Sequence, residues 1–303
     1  MTPTGRSDTI VIQTFRNNDI PAWIQRCLDS VQKWAGLHEH DYWLAGDEFY
    51  DLCGPEYLAR DNKNPQAITN LARLVATRQK LDAGYQRVIW MDADIFVFDP
   101  ANLVFDFPAK SLTTGYAFGR EVWLSRDKAG VPHVDPPVAH NAATFFTQAA
   151  VDLDMLITLI RHIDAGRKVV SNFQVGVRLL RGLQYSLMFP TFSHAAVFSP
   201  ALLRSLAERD EKILRFYSQA YRYQTCAANL GLSLQDEVTE GVLWRAMDCL
   251  ETSAGDAVNK YATEQGMHLV PYDRDASGAD QSPTITRGRD RLRAILRSLT
   301  TKR

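Results

Sequence analysis

The chain has 303 residues, enough to bury a large core in one big domain or two moderate ones. Apolar residues make up 46%, charged residues 23%, and the net charge is −1, so composition gives no general pull towards nucleic acid or acidic partners. No apolar stretch approaches the roughly 20 residues of a membrane span. The start lacks the basic-then-apolar pattern of a secretory signal, and Cys27, Cys53, Cys226 and Cys249 are scattered without a CxxC pair. Free thiols and no leader give the expectation of a cytoplasmic protein.

In chain order, "DTIVIQTF" (8–15) predicts a strand, and "PAWIQRCLDSVQKWAG" (21–36) a helix with Trp23, Ile24, Cys27, Leu28, Val31 and Trp34 on one face. "DYWLAGD" (41–47) predicts a second strand, and "AITNLARLVATRQKLDAG" (67–84) a helix ending at Gly84. On that helix Leu71, Leu74, Val75 and Leu81 share a face with Arg78 near its middle, while Arg73 and Lys80 fall opposite. A core-facing Arg78 needs an anionic partner: a protein carboxylate, Asp92, or a bound phosphate.

"RVIWMDADIFVFDP" (87–100) reads as a strand covered on both faces, with Asp92 and Asp94 on the same side of it. Two unpaired carboxylates in an apolar interior would be very unfavourable. Either they sit where the strand emerges from the sheet, or a cation joins them there; both together describe a metal site at the strand's carboxyl end, and paired surface acids are the plain alternative. Mg²⁺ or Mn²⁺ is the fitting ion, keeping one or two carboxylates and filling its remaining positions with water and substrate phosphates.

Strands are predicted near "SLTTGYAF" (111–118) and "AATFFTQ" (142–148), then a helix through "DLDMLITLIRHID" (152–164). Between the strands, the polar "SRDKAGVPHVDPPVAH" (125–140) is long enough for a functional lid. Alternating strands and helices imply an α/β sheet flanked by helices, turning mainly helical after about residue 200. "LQDEVTEGVLWRAMDCL" (234–250) predicts a helix with acids at its start and Ser233 as cap. His194 and His268 are candidate third metal ligands, each set beside aromatic and aliphatic residues as core histidines are. In "TRGRDRLRAILRSLTTKR" (286–303), Leu292, Ile295, Leu296 and Leu299 form one stripe of a basic amphipathic helix. That helix either docks on the protein or lies on an anionic membrane surface.

The segment "LDAGYQRVIWMDADIFVFDP" resembles the metal-binding segment of glycosyltransferases with the GT-A fold, and "HNAATFF" (140–146) is similar to their downstream Asn-Ala-Gly strand, with Ala143 in place of the glycine. The similarity is clearest over residues 67–100 and looser over 8–150. The resemblance implies an open, twisted, mostly parallel sheet flanked by helices, with a largely helical C-terminal part. It implies one catalytic domain over 1–275, with a nucleotide-sugar half (8–150) and an acceptor half (151–275), followed by the 276–303 tail. It implies a UDP- or GDP-sugar donor, Mn²⁺ or Mg²⁺, and a saccharide, lipid-linked or protein acceptor. Gln13, Thr14, Phe15 and Arg16 would hold base and ribose, joined by Arg78 and Asn141 on the donor. Asp92 would sit at the ribose or metal, and Asp94 would ligate the metal. Asp236 or Glu237 would act as base at the acceptor hydroxyl in an inverting enzyme.

Two other readings stand beside this one. A haloacid-dehalogenase-type phosphohydrolase also uses Asp-x-Asp after an apolar strand, but on its first strand and before a Gly-Thr-type turn. A non-catalytic nucleotide-sugar binder would keep the fold and lack the base.

Overall fold

The computed structural model describes residues 7–59, 65–107, 112, 114–165, 172–187, 189–231, 237–260 and 269–270. The first half runs β1 (Thr9–Thr14), α1 (Ala22–Leu37), β2 (Asp41–Ala45), a 3-10 turn (Asp47–Cys53), α2 (Pro55–Leu58), α3 (Pro65–Asp82), β3 (Arg87–Met91) and β4 (Ile95–Val97). Next come β5 (Tyr116–Val122), β6 (Leu124–Arg126), β7 (Pro132–Val134), β8 (Val138–Thr147), α4 (Leu153–Ala165), α5 (Asn172–Val175) and α6 (Val177–Leu187). The rest is β9 (Thr191–Phe198), α7 (Pro200–Glu208), α8 (Glu211–Tyr221), β10 (Ala227–Asn229), α9 (Glu240–Thr252), α10 (Asp256–Asn259) and β11 (Leu269–Val270).

One mixed sheet runs β2-β1-β3-β8-β5-β9-β10-β4, with β11 on β9. The pairs β2–β1, β1–β3, β5–β9 and β9–β10 are parallel; β8, β4 and β11 run against their neighbours. The result is a curled α/β sheet with helices packed on it, in keeping with a GT-A-like layout. β3 and β4 lie far apart in strand order yet only three residues apart in the chain, and that short link curls the sheet.

Three apolar clusters follow from this curl. One joins Ile12, Val88, Trp90, Tyr116, Phe118 and Phe146 to α3, α4 and α6. A second joins Phe96, Val122, Phe198 and Leu230 to α1, α7, α8 and α9. The third packs Val11, Ile89, Met91, Ile95, Phe145, Phe192 and Ala227 against Val31 and Trp34 of α1. β5 is irregular on both sides. It skips residues 141–143 on β8 at Phe118/Gly119 and residues 193–195 on β9 at Gly119/Arg120. Bulges of this kind re-aim side chains next to sites.

Three sequence-based expectations change. The 87–100 run is two strands, because the sheet needs its second half to pair with β10 rather than continue beside β8. The 125–140 segment, expected as an irregular polar loop, contains most of the β6–β7 hairpin and the start of β8. The acid-bearing helix begins at Glu240 with Thr239 as its cap, so Glu237 precedes it; Ser233 and Asp236 lie outside the described residues. His268 and the basic tail are outside them too. Among the described residues no helix is long and apolar enough to cross a membrane.

Candidate active site at the 92–94 turn

The turn between β3 and β4 is held from two sides. Towards β8 and β1, the Asp92 amide donates to the Ala142 carbonyl at 2.7 Å, and Gln13 Nε2 donates to the Asp92 carbonyl at 3.1 Å. Towards β10, the Leu230 amide donates to the Asp94 carbonyl at 2.9 Å, and Asn229 Nδ2 donates to Asp94 Oδ1 at 2.5 Å. Asn229 is itself oriented, its Oδ1 accepting from the Gly231 amide at 2.9 Å. The two acids therefore belong to different strands of the curled sheet and meet where it is joined. This junction lies at the carboxyl ends of β3 and β10, where open α/β sheets bind ligands.

Asp92 Oδ1 accepts from the Trp90 indole at 2.7 Å and pairs with Arg73 Nη1 at 3.3 Å. Burial pushes its carboxyl above the usual range, against the opposing pull of Arg73 and Trp90. Arg73 lies over the Trp90 ring, 5.0 Å from its centre, and its Nη1 also donates to the Asn141 carbonyl. Burial lowers the guanidinium pKa, and the nearby carboxylates of Asp92 and Asp94 raise it. Asp94 is only 7% exposed, and its charge helps burial raise the pKa of the Cys27 thiol on α1.

The arginine facing Asp92 is thus Arg73, not Arg78. The buried face of α3 carries Asn70, Arg73, Leu74, Thr77 and Leu81, a stripe whose polar members pair inside the protein. Arg78 turns outward and holds Asp154 through two bonds of 2.9 Å. Asn141 is buried, and its Nδ2 donates to Asn70 Oδ1 at 2.8 Å. Gln13 is fully buried, its carboxamide engaged by Tyr42 and the Asp92 carbonyl, so it supports the turn. Thr14 Oγ1 donates to the Ala45 carbonyl at 3.0 Å. Arg16 is exposed beyond the end of β1, its guanidinium on the Asp19 carbonyl and 5.4 Å from the centre of the partly buried Phe15 ring. Glu237 is exposed and its carbonyl accepts from Arg204 at 2.8 Å. His194 is a buried residue of β9 and belongs to no group of three or more His, Cys, Asp or Glu among the described residues.

Asn229 and His140 are the neighbours that sequence patterns did not single out. No spacing rule marks either Asn229 in "CAANLG" or His140 in "AHNAA", since each acquires its partners only in the folded chain. His140 Nδ1 accepts the Ala142 amide at 2.9 Å, so the neutral ring carries its proton on Nε2. Burial, with Arg73 and Arg181 nearby, lowers its pKa to about 3. The unfolded chain, with a histidine near 6.5, takes up the proton first, so stability falls as pH drops from about 6.5 towards 3. A His140→Gln chain should therefore lose less stability than wild type between pH 7 and pH 4 in denaturant titrations. Equal losses would show that His140 titrates normally. His40, lowered to about 4 by burial and its neighbours His38 and Arg87, supplies a similar term in both chains.

Among the described residues, no group of three or more His, Cys, Asp or Glu is set to hold a metal. The chemistry at the turn is that of two carboxylates, with Asn229 orienting one of them. This hard-oxygen set fits a cation that takes one or two protein ligands and completes its shell with water and phosphate oxygens.

No family model matches the chain, and no curated protein sequence matches it. Among solved structures it is similar to a glycosyltransferase involved in the glycosylation of the major capsid of PBCV-1. That match has 11% identity and a TM-score of 0.30, covering 50% of this chain and 65% of the other, just under two thirds of its length. It is also similar to a protein from Desulfovibrio desulfuricans G20 classed as a nucleotide-diphospho-sugar transferase. There the identity is 16% and the TM-score 0.29, covering 82% of this chain and 98% of the other.

Proposed function

We propose that this protein is a metal-dependent glycosyltransferase, moving a sugar from a nucleoside-diphosphate donor to an acceptor hydroxyl. The observation that carries the reading is the 92–94 turn, which sets two carboxylates at the carboxyl ends of β3 and β10. Asp94, with Asp92 beside it, would hold Mn²⁺ or Mg²⁺. Such an ion neutralises charge on a departing diphosphate and fixes its position. The chain's own contribution is orientation: Arg73 and Trp90 fix Asp92, and Asn229 fixes Asp94. Thr14, Phe15 and Arg16, at the end of β1, would line the nucleoside side. Either Glu237 or Asp236 would accept the proton of the acceptor hydroxyl in an inverting reaction. The acceptor is a saccharide, a lipid-linked sugar or a protein.

Calorimetric titration with UDP and GDP, with and without Mn²⁺, tests this on wild type, Asp94→Ala and Asn229→Ala. Nucleotide binding should require metal and vanish in Asp94→Ala. In Asn229→Ala it should persist with metal affinity about 10–100-fold weaker, the usual effect of losing a residue that orients a ligand. Metal-independent binding, or binding unchanged in Asp94→Ala, would remove the turn from the reaction.

A further inference from the structure

Arg120, in the middle strand β5, is 6% exposed, yet among the described residues no carboxylate lies within ion-pair distance of it. Its Nε donates to Thr191 Oγ1 at 2.9 Å, and its guanidinium carbon sits 4.7 Å from the centre of the Tyr223 ring. Among the described residues its Nη1 is buried without a hydrogen-bond partner.

A run of buried hydroxyls leads away from it. Tyr217, Tyr221 and Tyr223 form a chain of rings with successive centres 5.6 and 5.3 Å apart. Among the described residues the Tyr217 hydroxyl and Thr225 Oγ1, two residues past Tyr223, are buried without partners, while the buried Tyr221 hydroxyl has Arg120 as its neighbour. Burial raises the Tyr221 phenol to about 12 even though Arg120 pulls the other way, so it stays a protonated donor at neutral pH.

A guanidinium cannot shed its proton to escape burial. Water could occupy the donors but would not neutralise the charge, and an unpaired buried charge is among the least favourable features a fold can carry. The guanidinium's Nε has a neutral acceptor in Thr191 Oγ1, and among the described residues no acceptor bearing negative charge faces these donors. We propose that Arg120, with the Tyr221 hydroxyl beside it, is a binding site for a small anion. The half-buried ring of Tyr223 forms its outer wall. None of these residues belongs to the 92–94 turn, so the site stands or falls independently of the transferase reading.

The test is thermal unfolding of the full chain at constant ionic strength, exchanging bulky gluconate for chloride, phosphate, sulfate or acetate. Wild type should become more stable with the logarithm of the favoured anion's concentration, with a slope of about one anion per chain. Arg120→Met should lose that dependence, and Tyr221→Phe should shift it to several-fold higher concentration. General salt effects act alike on all three proteins. A response to chloride alone identifies a monatomic ion, and one to phosphate, sulfate or acetate identifies an oxyanion; both support the site. Should Arg120→Met fail to fold, Tyr221→Phe decides: an unshifted response overturns the proposal. The same responses in wild type and Arg120→Met, or none in wild type, would also overturn it.

Discussion

Replacing Arg73 by methionine is expected to destabilise the protein by about 3 kcal/mol, the lower end of what breaking a buried ion pair does. The lower end applies because the Asp92 side chain keeps 25% exposure while that of Arg73 keeps 7%. Methionine fills most of the arginine stem's volume, so the loss reports on charge and hydrogen bonds rather than a void. It leaves the Asn141 carbonyl without its guanidinium donor and Asp92 with only the Trp90 indole. Adding Asp92→Asn should recover a large part of the loss, because the stranded carboxylate is then gone. Urea denaturation of the two single variants and the double variant measures the coupling. A loss below about 1 kcal/mol for Arg73→Met would mean that the pair behaves like an exposed one.

The second large effect is expected at Gly115, just before β5. Its φ is +75°, and a Cβ built there would lie 2.3 Å from the carbonyl carbon and oxygen of Ala149. The Gly115 carbonyl also accepts from the Thr147 amide at 2.9 Å, so this stretch cannot swing away without breaking the start of the β5–β8 pairing. Gly115→Ala combines a left-handed backbone penalty of about 1–2 kcal/mol with about 1–3 kcal/mol for the forced shift. A combined loss of about 2–5 kcal/mol should lower the unfolding midpoint by several degrees. Gly84 is the control: it also has positive φ, but nothing lies within 4 Å of its added Cβ, so Gly84→Ala should show the conformational penalty alone.

The sequence conveyed the early elements well, because β1, α1, β2 and α3 each carry local apolar periodicity and sit close to their predicted bounds. It also pointed to Asp92 and Asp94, since acids inside a run like "VIWMDADIFVF" demand an explanation. The break between β3 and β4 was not legible, because Asp-Ala-Asp contains neither Gly nor Pro and apolar residues continue on both sides. Only pairing with β10 reveals it. Arg73 was assigned to the wrong face for a related reason. A helix face holding Asn70, Arg73 and Thr77 looks solvent-facing until Asn141 and Asp92 arrive from other strands to meet it. Asn229 and Arg120 are functional candidates through their surroundings alone, and no spacing rule marks either residue.

The junction between β3 and β4 also sets an order of events. Asp94 and the residue that orients it, Asn229, are 135 positions apart in the chain. A chain emerging N-terminus first can therefore pair β1, β2, β3, β5 and β8 well before β10 exists. In that state β3 ends in a pair of carboxylates with no second wall, and β4 is an apolar strand without its partner. Long-range pairings of this kind are formed slowly, after the entropy of a large loop has been overcome. The geometry at this turn is thus a property of a chain that extends past β10, and a product stopped short of residue 227 would carry the acids without Asn229 to orient Asp94.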